Sequence, residues 1–247
     1  LISELEGISL FLPTYNEEEN VAYMVNTACG VLEEIAGDNW EVLVVNDGST
    51  DRTREITLEL AAAEPRVRLV DHPANLGFGR AVRTGIENSI HDWVFYTDCD
   101  GQFDLGELNI LWAHRNEADV VSGFRRRRRD PGMRLVYSLG WNLITCMLFM
   151  RGFKDVDASF KLYRRSIFEK VVPESTSGVV DFEIMTLARG KGFRILQIPV
   201  SHYPRRAGTV SFETSRRGFF AFVRFGAIWE LWVQLLAFKL RTWRGRV

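Results

Sequence analysis

Apolar and polar positions alternate in blocks along the first hundred residues. "GISLFLP" is a short apolar run ending in Pro13, and it predicts a strand. "EEENVAYMVNTACGVLEEIA" follows, with Val21, Met24, Val25, Ala28 and Leu32 at helical spacing. "WEVLVVNDGST" predicts a buried strand from Glu41 to Val45 that runs into a turn, with Ser49 or Thr50 capping a helix beginning near Asp51. "RVRLVDHP" predicts a further strand, "GFGRAVRTGIENSI" a helix and "DWVFYTDCD" a fourth strand. This alternation predicts an α/β fold: a mostly parallel sheet with helices on both faces. Ligands of such sheets bind beyond the carboxyl ends of the strands.

Three of those ends are acidic: "PTYNEEEN" after the first strand, "NDGSTD" after the second and "DCDGQFD" after the fourth. Each alone reads as an ordinary turn, because Asn, Asp and Gly favour turns. All three on one sheet edge make a site. Asp98 and Asp100 flank a single residue, so their carboxylates repel and call for a compensating charge. A hard divalent cation with oxygen ligands, Mg²⁺ or Mn²⁺, supplies it, with Gln102 as a further oxygen donor. Such a cation would hold a nucleotide diphosphate against an edge that otherwise repels it.

Charge sharpens the picture. The net charge of −1 hides a split: residues 1–122 hold 7 Lys/Arg against 23 Asp/Glu, and residues 123–247 hold 24 against 9. The basic half asks for an anionic partner. Its densest stretch is "GFRRRRRDPGMR". Cys29, Cys99 and Cys146 lie far apart, which fits neither a metal site nor a disulfide framework and points to a reducing compartment. No signal-peptide pattern is recognisable. "GFGRAVRTG" is not G-x-G-x-x-G, so a dinucleotide site is weakly supported. His72, His91 and His114 share no ligand spacing and are expected to be surface or structural residues. His202 stands three residues before the late arginine pair.

The ordered set "PTYNEEEN", "VVNDGSTD", "NLGFGRAVRTG" and "DCDGQFD" resembles family 2 glycosyltransferases of the GT-A fold. "GFR", "RLVYSLGWNL", "DVDASFKLYRR", "FEIMTLARGKGFRILQIPV" and "HYPRRAGTVSF" are similar to the dolichyl- or polyprenyl-phosphate sugar transferases within it. The resemblance implies a GT-A catalytic domain over 1–215 and a C-terminal amphipathic helix region over 216–247. It makes Asp98, Asp100 and Gln102 the metal and donor-diphosphate site. Pro13, Tyr15 and Glu17 would border the nucleotide, and Asp47 would meet the base or ribose. Gly77, Gly79 and Arg83 would lie along the donor phosphates. Arg125, Arg134 and Ser138 would face the acceptor phosphate, with Glu183 on the same side, and Arg205 or Arg206 would hold phosphate from the late loop. Asp157 would orient nearby basic groups. Arg126 to Arg129 match no motif; they read as a loop that draws in anionic lipid, or as a solvated charge run.

The implied reaction moves a hexose from a nucleotide sugar, of GDP-mannose or UDP-glucose type, to a lipid phosphate with inversion at the anomeric carbon. A phosphate monoester has a second pKa of about 6, so it is ionised at neutral pH and needs no general base. A saccharide hydroxyl, the acceptor in other members of the family, would need one, and Asp181 or Glu183 would be the candidates. The Q-x-x-R-W motif of processive members is absent. A nucleic-acid module would use the basic half but leave the acidic strand ends unexplained, so no nucleic acid is expected as partner. Residues 135–150 and 218–238 are strongly apolar. The second is long enough to span a bilayer, at roughly 20 residues, but Arg224 and Glu230 would each cost about 3 kcal/mol at its centre. Glu230, Gln234 and Arg241 fall within roughly 40° on a helix. That stripe favours a helix lying in the membrane interface or packed on protein. The expected location is the cytoplasmic face of a membrane.

Overall fold

The apolar runs of the first half form their strands in succession, and β1 (Ile8–Thr14), β2 (Trp40–Asn46) and β4 (Trp93–Thr97) are buried along their length. The computed structural model describes residues 6–126 and 152–208, together with Val233, Phe238 and Arg241. The strands are β1 (Ile8–Thr14), β2 (Trp40–Asn46), β3 (Val67–Asp71), β4 (Trp93–Thr97), β5 (Val120–Arg125), β6 (Phe160–Arg164) and β7 (Ile195–Val200). Among the described residues they form one seven-stranded sheet in the order β3-β2-β1-β4-β6-β5-β7. β3, β2, β1 and β4 are parallel, as are β5 and β7. β6 runs antiparallel to both its neighbours, β4 and β5.

Side-chain alternation along β1 divides the core in two. Ile8, Leu10 and Leu12 join one buried cluster with Met24, Val25 and Leu32 of α1 (Val21–Ala36) and Leu111 of α4 (Leu108–Ala113). Phe11 joins the other, with Ala81 and Val82 of α3 (Phe78–Asn88) and Val180, Ile184 and Met185 of α5 (Val179–Gly190). Two-sided burial explains why the strands read as continuous apolar runs rather than alternating ones. Each large side chain so buried stabilises the fold by roughly 1.5–3 kcal/mol.

α2 (Thr53–Ala63) starts later than the turn sequence suggests. Its first amide, Thr53 N–H, donates to Asp51 Oδ1 at 3.0 Å. Ser49 and Thr50 do not cap it. Ser49 Oγ accepts from Asn16 N–H at 2.9 Å, and Thr50 N–H donates to Asn16 Oδ1 at 2.8 Å. The expected cap is therefore spent on joining two loops.

Candidate active site

Those two loops follow β1 and β2, adjacent parallel strands, so their tips meet at one edge. Asn16 takes the left-handed conformation there, φ 55°, which Asn tolerates better than other side chains. Glu17 N–H donates to Thr53 Oγ1 at 2.8 Å, and Glu18 N–H to Asp51 Oδ2 at 3.1 Å. The lacing fixes Pro13, Tyr15 and Glu17 at the strand end, beside the carboxyl end of β4.

β4 delivers Asp98 and Asp100. Gln102 N–H donates to Asp100 Oδ1 at 3.0 Å, which turns the chain sharply. The late loop crosses this end. Phe103 bridges His202, Tyr203 N–H donates to Gln102 O at 2.8 Å, and the Gln102 side-chain amide donates to Tyr203 O at 3.2 Å. Glu107 accepts from the Ser201 amide at 2.6 Å and its hydroxyl at 2.8 Å. The seated loop aims Arg205 into the acidic cluster. Its guanidinium donates to Glu17 Oε1 and lies 3.6 Å from Asp100 Oδ2. Arg206 instead stacks over the Tyr23 ring, 3.9 Å from its centroid. Of the two arginines, Arg205 is the one that faces the acidic edge.

The cluster is electrostatically crowded. Enclosure by protein, then the neighbouring Asp100 carboxylate, pushes Asp98 up to about 7, against a hydrogen bond from Ser159 and the charge of Lys161. Burial raises Glu17 too, opposed by Asn20 and Arg205. Among the described residues no group of three or more His, Cys, Asp or Glu is arranged to hold a metal. Asp98 and Asp100 form a two-carboxylate set, the number Mg²⁺ takes when phosphates and waters complete its shell. The crowded pair fits a cation. Gln102 is committed through its amide nitrogen to Tyr203.

Asp47, expected at the base or ribose, has protein partners on both oxygens. Oδ1 meets His72 Nδ1 at 2.7 Å and accepts from Leu76 N–H at 2.9 Å, and Oδ2 accepts from Gly77 N–H at 2.9 Å. His72 reaches on to Thr84 Oγ1 of α3 at 3.0 Å. Asp47 thus organises the turn into α3. Gly77 and Gly79 serve packing in that turn. Gly77 has φ 95°, and a Cβ on Gly79 would lie 2.2 Å from Ser175 O. Their amides are spent on Asp47 and, at 2.9 Å, on Thr176 O. Arg83 does not join the site. It pairs with Glu87 at 2.6 Å and lines a separate cleft with Asp92 and Arg165, because α3 carries it away from the edge where Gly77 sits.

Arg125, at the carboxyl end of β5, is gripped by Asp155. Its Nε and Nη2 donate to the two carboxylate oxygens at 2.7 and 2.8 Å, and its own amide donates to Oδ2 at 3.2 Å. Nearby, β6 buries Lys161 completely, 2.7 Å from Asp181 Oδ1; Tyr96 Oη donates to the same oxygen. Burial lowers Lys161 to about 7, against the pull of Asp157, Asp155 and Asp98, and raises Asp181 well above its ordinary range. Asp181 is therefore a core partner and does not face an acceptor. Glu183 likewise turns inward: Oε2 accepts from the Glu174 and Ser175 amides at 3.1 and 2.8 Å, and Oε1 from Arg241 at 2.8 Å. Arg241 therefore faces protein, while Glu230 and Gln234 of the expected stripe lie outside the described residues. Arg134, Ser138 and Arg127 to Arg129 lie outside the described residues, as does nearly all of 218–238. Among the described residues no helix is long and apolar enough to cross a membrane.

The structure gathers Glu17, Asp98, Asp100, Gln102 and Arg205 at one edge, with Pro13, Tyr15 and Arg125 along it. Sequence reasoning missed Asp155 and Lys161; His72 is structural, one of the two roles expected of it. Asp155 stood in the quoted "DVDASFKLYRR", and the lysine inside that strand was the available signal.

Known proteins share this fold. The chain resembles glucosyl-3-phosphoglycerate synthase from Mycobacterium tuberculosis, solved with Mn²⁺, uridine diphosphate and phosphoglyceric acid: TM-score 0.65 at 18% identity, covering 83% of this chain and 72% of that one. That likeness establishes the GT-A fold. It is 29% identical over 208 residues to dolichyl-phosphate beta-glucosyltransferase ALG5C of Trichomonas vaginalis, covering 76% of this chain and 61% of the relative. It is 27% identical over 217 residues to undecaprenyl-phosphate 4-deoxy-4-formamido-L-arabinose transferase of Pectobacterium carotovorum, covering 86% and 64%. The chain thus spans less than two thirds of these relatives' length. Residues 9–172, from β1 through the acidic β4 end to β6 and just beyond, match Glycosyl transferase family 2, and the chain belongs to that family.

Proposed function

We propose that the chain transfers a hexose from a nucleotide sugar to the phosphate of a polyprenyl or dolichyl lipid, at the cytoplasmic face of a membrane and with inversion. The observation that carries it is the carboxylate pair Asp98 and Asp100 on the strand edge where Arg205 faces it and Arg125 stands nearby. Pro13, Tyr15 and Glu17 border the nucleotide. Asp98 and Asp100 would hold Mg²⁺ or Mn²⁺, which as a Lewis acid stabilises charge on the leaving diphosphate. Arg205, a planar fork suited to phosphate, exchanges its carboxylate partners for donor phosphate. The C1–oxygen bond to the diphosphate breaks, and the nucleoside diphosphate leaves with the electron pair. A lipid phosphate oxygen forms the new bond to C1.

The engagement of Asp181 and Glu183 favours a phosphate acceptor over a saccharide hydroxyl. Neither is placed to serve as general base, and an ionised phosphate needs none. Arg125, with Arg134 and Ser138, receives that phosphate. Similarity to a dolichyl-phosphate glucosyltransferase favours UDP-glucose over GDP-mannose.

The test is a panel of radiolabelled UDP-glucose and GDP-mannose with polyprenyl phosphate and Mg²⁺ or Mn²⁺, counting product in the organic phase. Asp100→Ala abolishes that product while keeping the wild-type circular dichroism. Wild-type rates in this variant, with and without chelator, would sink the metal assignment. Product formed only on a saccharide would replace the lipid acceptor.

A further inference from the structure

Phe238 and Arg241 are three residues apart on a helical segment and so share one face. Phe238 is fully buried, with its ring edge-on to Phe182 of α5 at 6.2 Å between centroids. Arg241 donates to Glu183 Oε1 at 2.8 Å and pairs with Glu174 through its other nitrogen. The Glu183 side chain is 1% exposed. Its second oxygen takes the amides of Glu174 and Ser175. The strap of residues 174–177 continues to α3, where Thr176 O accepts from Gly79 N–H at 2.9 Å. Backbone packs on backbone there, with no room for a Cβ on Gly77 or Gly79. Gly77 N–H in turn donates to Asp47. A continuous set of contacts therefore joins the C-terminal helix to the turn beside the donor.

We propose that Arg241 is a positioning residue. Through Glu183 it holds the strap of residues 174–177 against the Gly77–Gly79 turn, and so sets the shape of the donor side of the site. This rests on the transferase reading above. A carboxylate with both oxygens engaged is a brace, which gives Glu183 a place on the donor side of the protein rather than at the acceptor. A fork is the right group for the job: Arg241 spans Glu174 and Glu183 together, which an ammonium does with poorer geometry.

The test uses the full chain and the variants Arg241→Ala, Arg241→Lys and Glu183→Gln. UDP and GDP are each titrated with MnCl₂, amide hydrogen exchange is followed at Ser175 and Gly79, and KM is measured separately for donor and lipid phosphate. Arg241→Ala should weaken nucleoside diphosphate binding and raise donor KM by roughly 2- to 30-fold, the range for residues that act through intermediaries. Exchange at both amides should speed up, acceptor KM should hold, and Arg241→Lys should restore part of each loss. Unchanged exchange at Gly79, or a rise confined to acceptor KM, overturns the proposal. Should Arg241→Ala fail to fold, Arg241→Lys and Glu183→Gln carry the same readouts. If wild type makes no lipid-linked sugar, the transferase reading fails, and hydrogen exchange still decides whether Arg241 braces the turn.

Discussion

Gly79→Ala sets two rules of stability against each other. Gly79 is the second residue of α3, and in a helix alanine is favoured over glycine by about 1 kcal/mol. Propensity alone therefore makes the variant more stable. The structure reverses the sign. The new Cβ would lie 2.2 Å from Ser175 O, 2.7 Å from Thr176 C and 2.8 Å from Ser177 O, all backbone, where ordinary contact begins at 3.4 Å. The strap must retreat by about 1 Å, in an interior packed as densely as a crystal. Overpacking of this kind costs about 1–3 kcal/mol. Losing the bond from Gly79 N–H to Thr176 O costs about 0.5–1.5 kcal/mol more. With propensity subtracted, the net loss is about 0.5–3.5 kcal/mol. At about 2–4 °C per kcal/mol for a domain of this size, Tm falls by several degrees. Gly30→Ala is the reference: Gly30 is an exposed residue inside α1 with nothing within 4 Å of its Cβ position. It should gain about 0.5–1 kcal/mol. Thermal unfolding of both variants by circular dichroism checks the pair. A Gly79→Ala protein that unfolds at or above the wild-type temperature would refute the packing of the strap on α3.

Asp155→Ala removes the two-pronged carboxylate partner of Arg125, whose side chain is only 12% exposed, and should cost about 3–5 kcal/mol. A loss of less than a third of that in the unfolding free energy from urea titration would show the pair to be dispensable. Lys161→Met removes the buried hydrogen-bond partner of Asp181 and should destabilise by about 1–3 kcal/mol. Lys161→Met/Asp181→Asn, which removes the buried acid as well, should recover most of the loss in the same unfolding assay. Burial, then Glu64, pushes the Cys29 thiol up to about 11, so at pH 8 only about 0.1% is thiolate. Peptide-resolved alkylation of Cys29 should be slow at pH 8 and rise about tenfold per pH unit toward 11; fast labelling at pH 8 contradicts the burial.

The strands of the first half were legible because two-sided burial writes itself as apolar runs, and their acidic ends marked the functional edge. The second half was less legible for a physical reason. β6 reads "FKLYR", with a lysine where a buried strand should be apolar. Asp181, twenty residues later in sequence, makes that lysine tolerable. Arg125 and Asp155 are separated by 30 residues, and Arg205 and Glu17 by 188. No local pattern encodes such pairs; only the sheet order, with β6 reversed between β4 and β5, brings them together. The same limit explains Arg83: helical spacing assigns it a face, but not which end of the sheet that face overlooks.

The position of a carboxylate in a motif does not say whether it does chemistry or holds structure; its hydrogen bonds do. Asp47 and Glu183 each receive two backbone N–H groups and a cationic or imidazole partner. Hydrogen bonds of that kind occupy the lone pairs of both oxygens, which leaves a poor metal ligand. Asp98 is in the opposite condition, pushed upward by enclosure and a like charge, so an arriving cation gains the most there. Asp100 sits between: one oxygen fixes its own turn, and the other lies 3.6 Å from Arg205. The edge therefore holds two kinds of acid. Asp47 and Glu183 are braces that shape the turn into α3 and the strap packed on it, and the Asp98–Asp100 pair is the part of the edge with charge still to be satisfied.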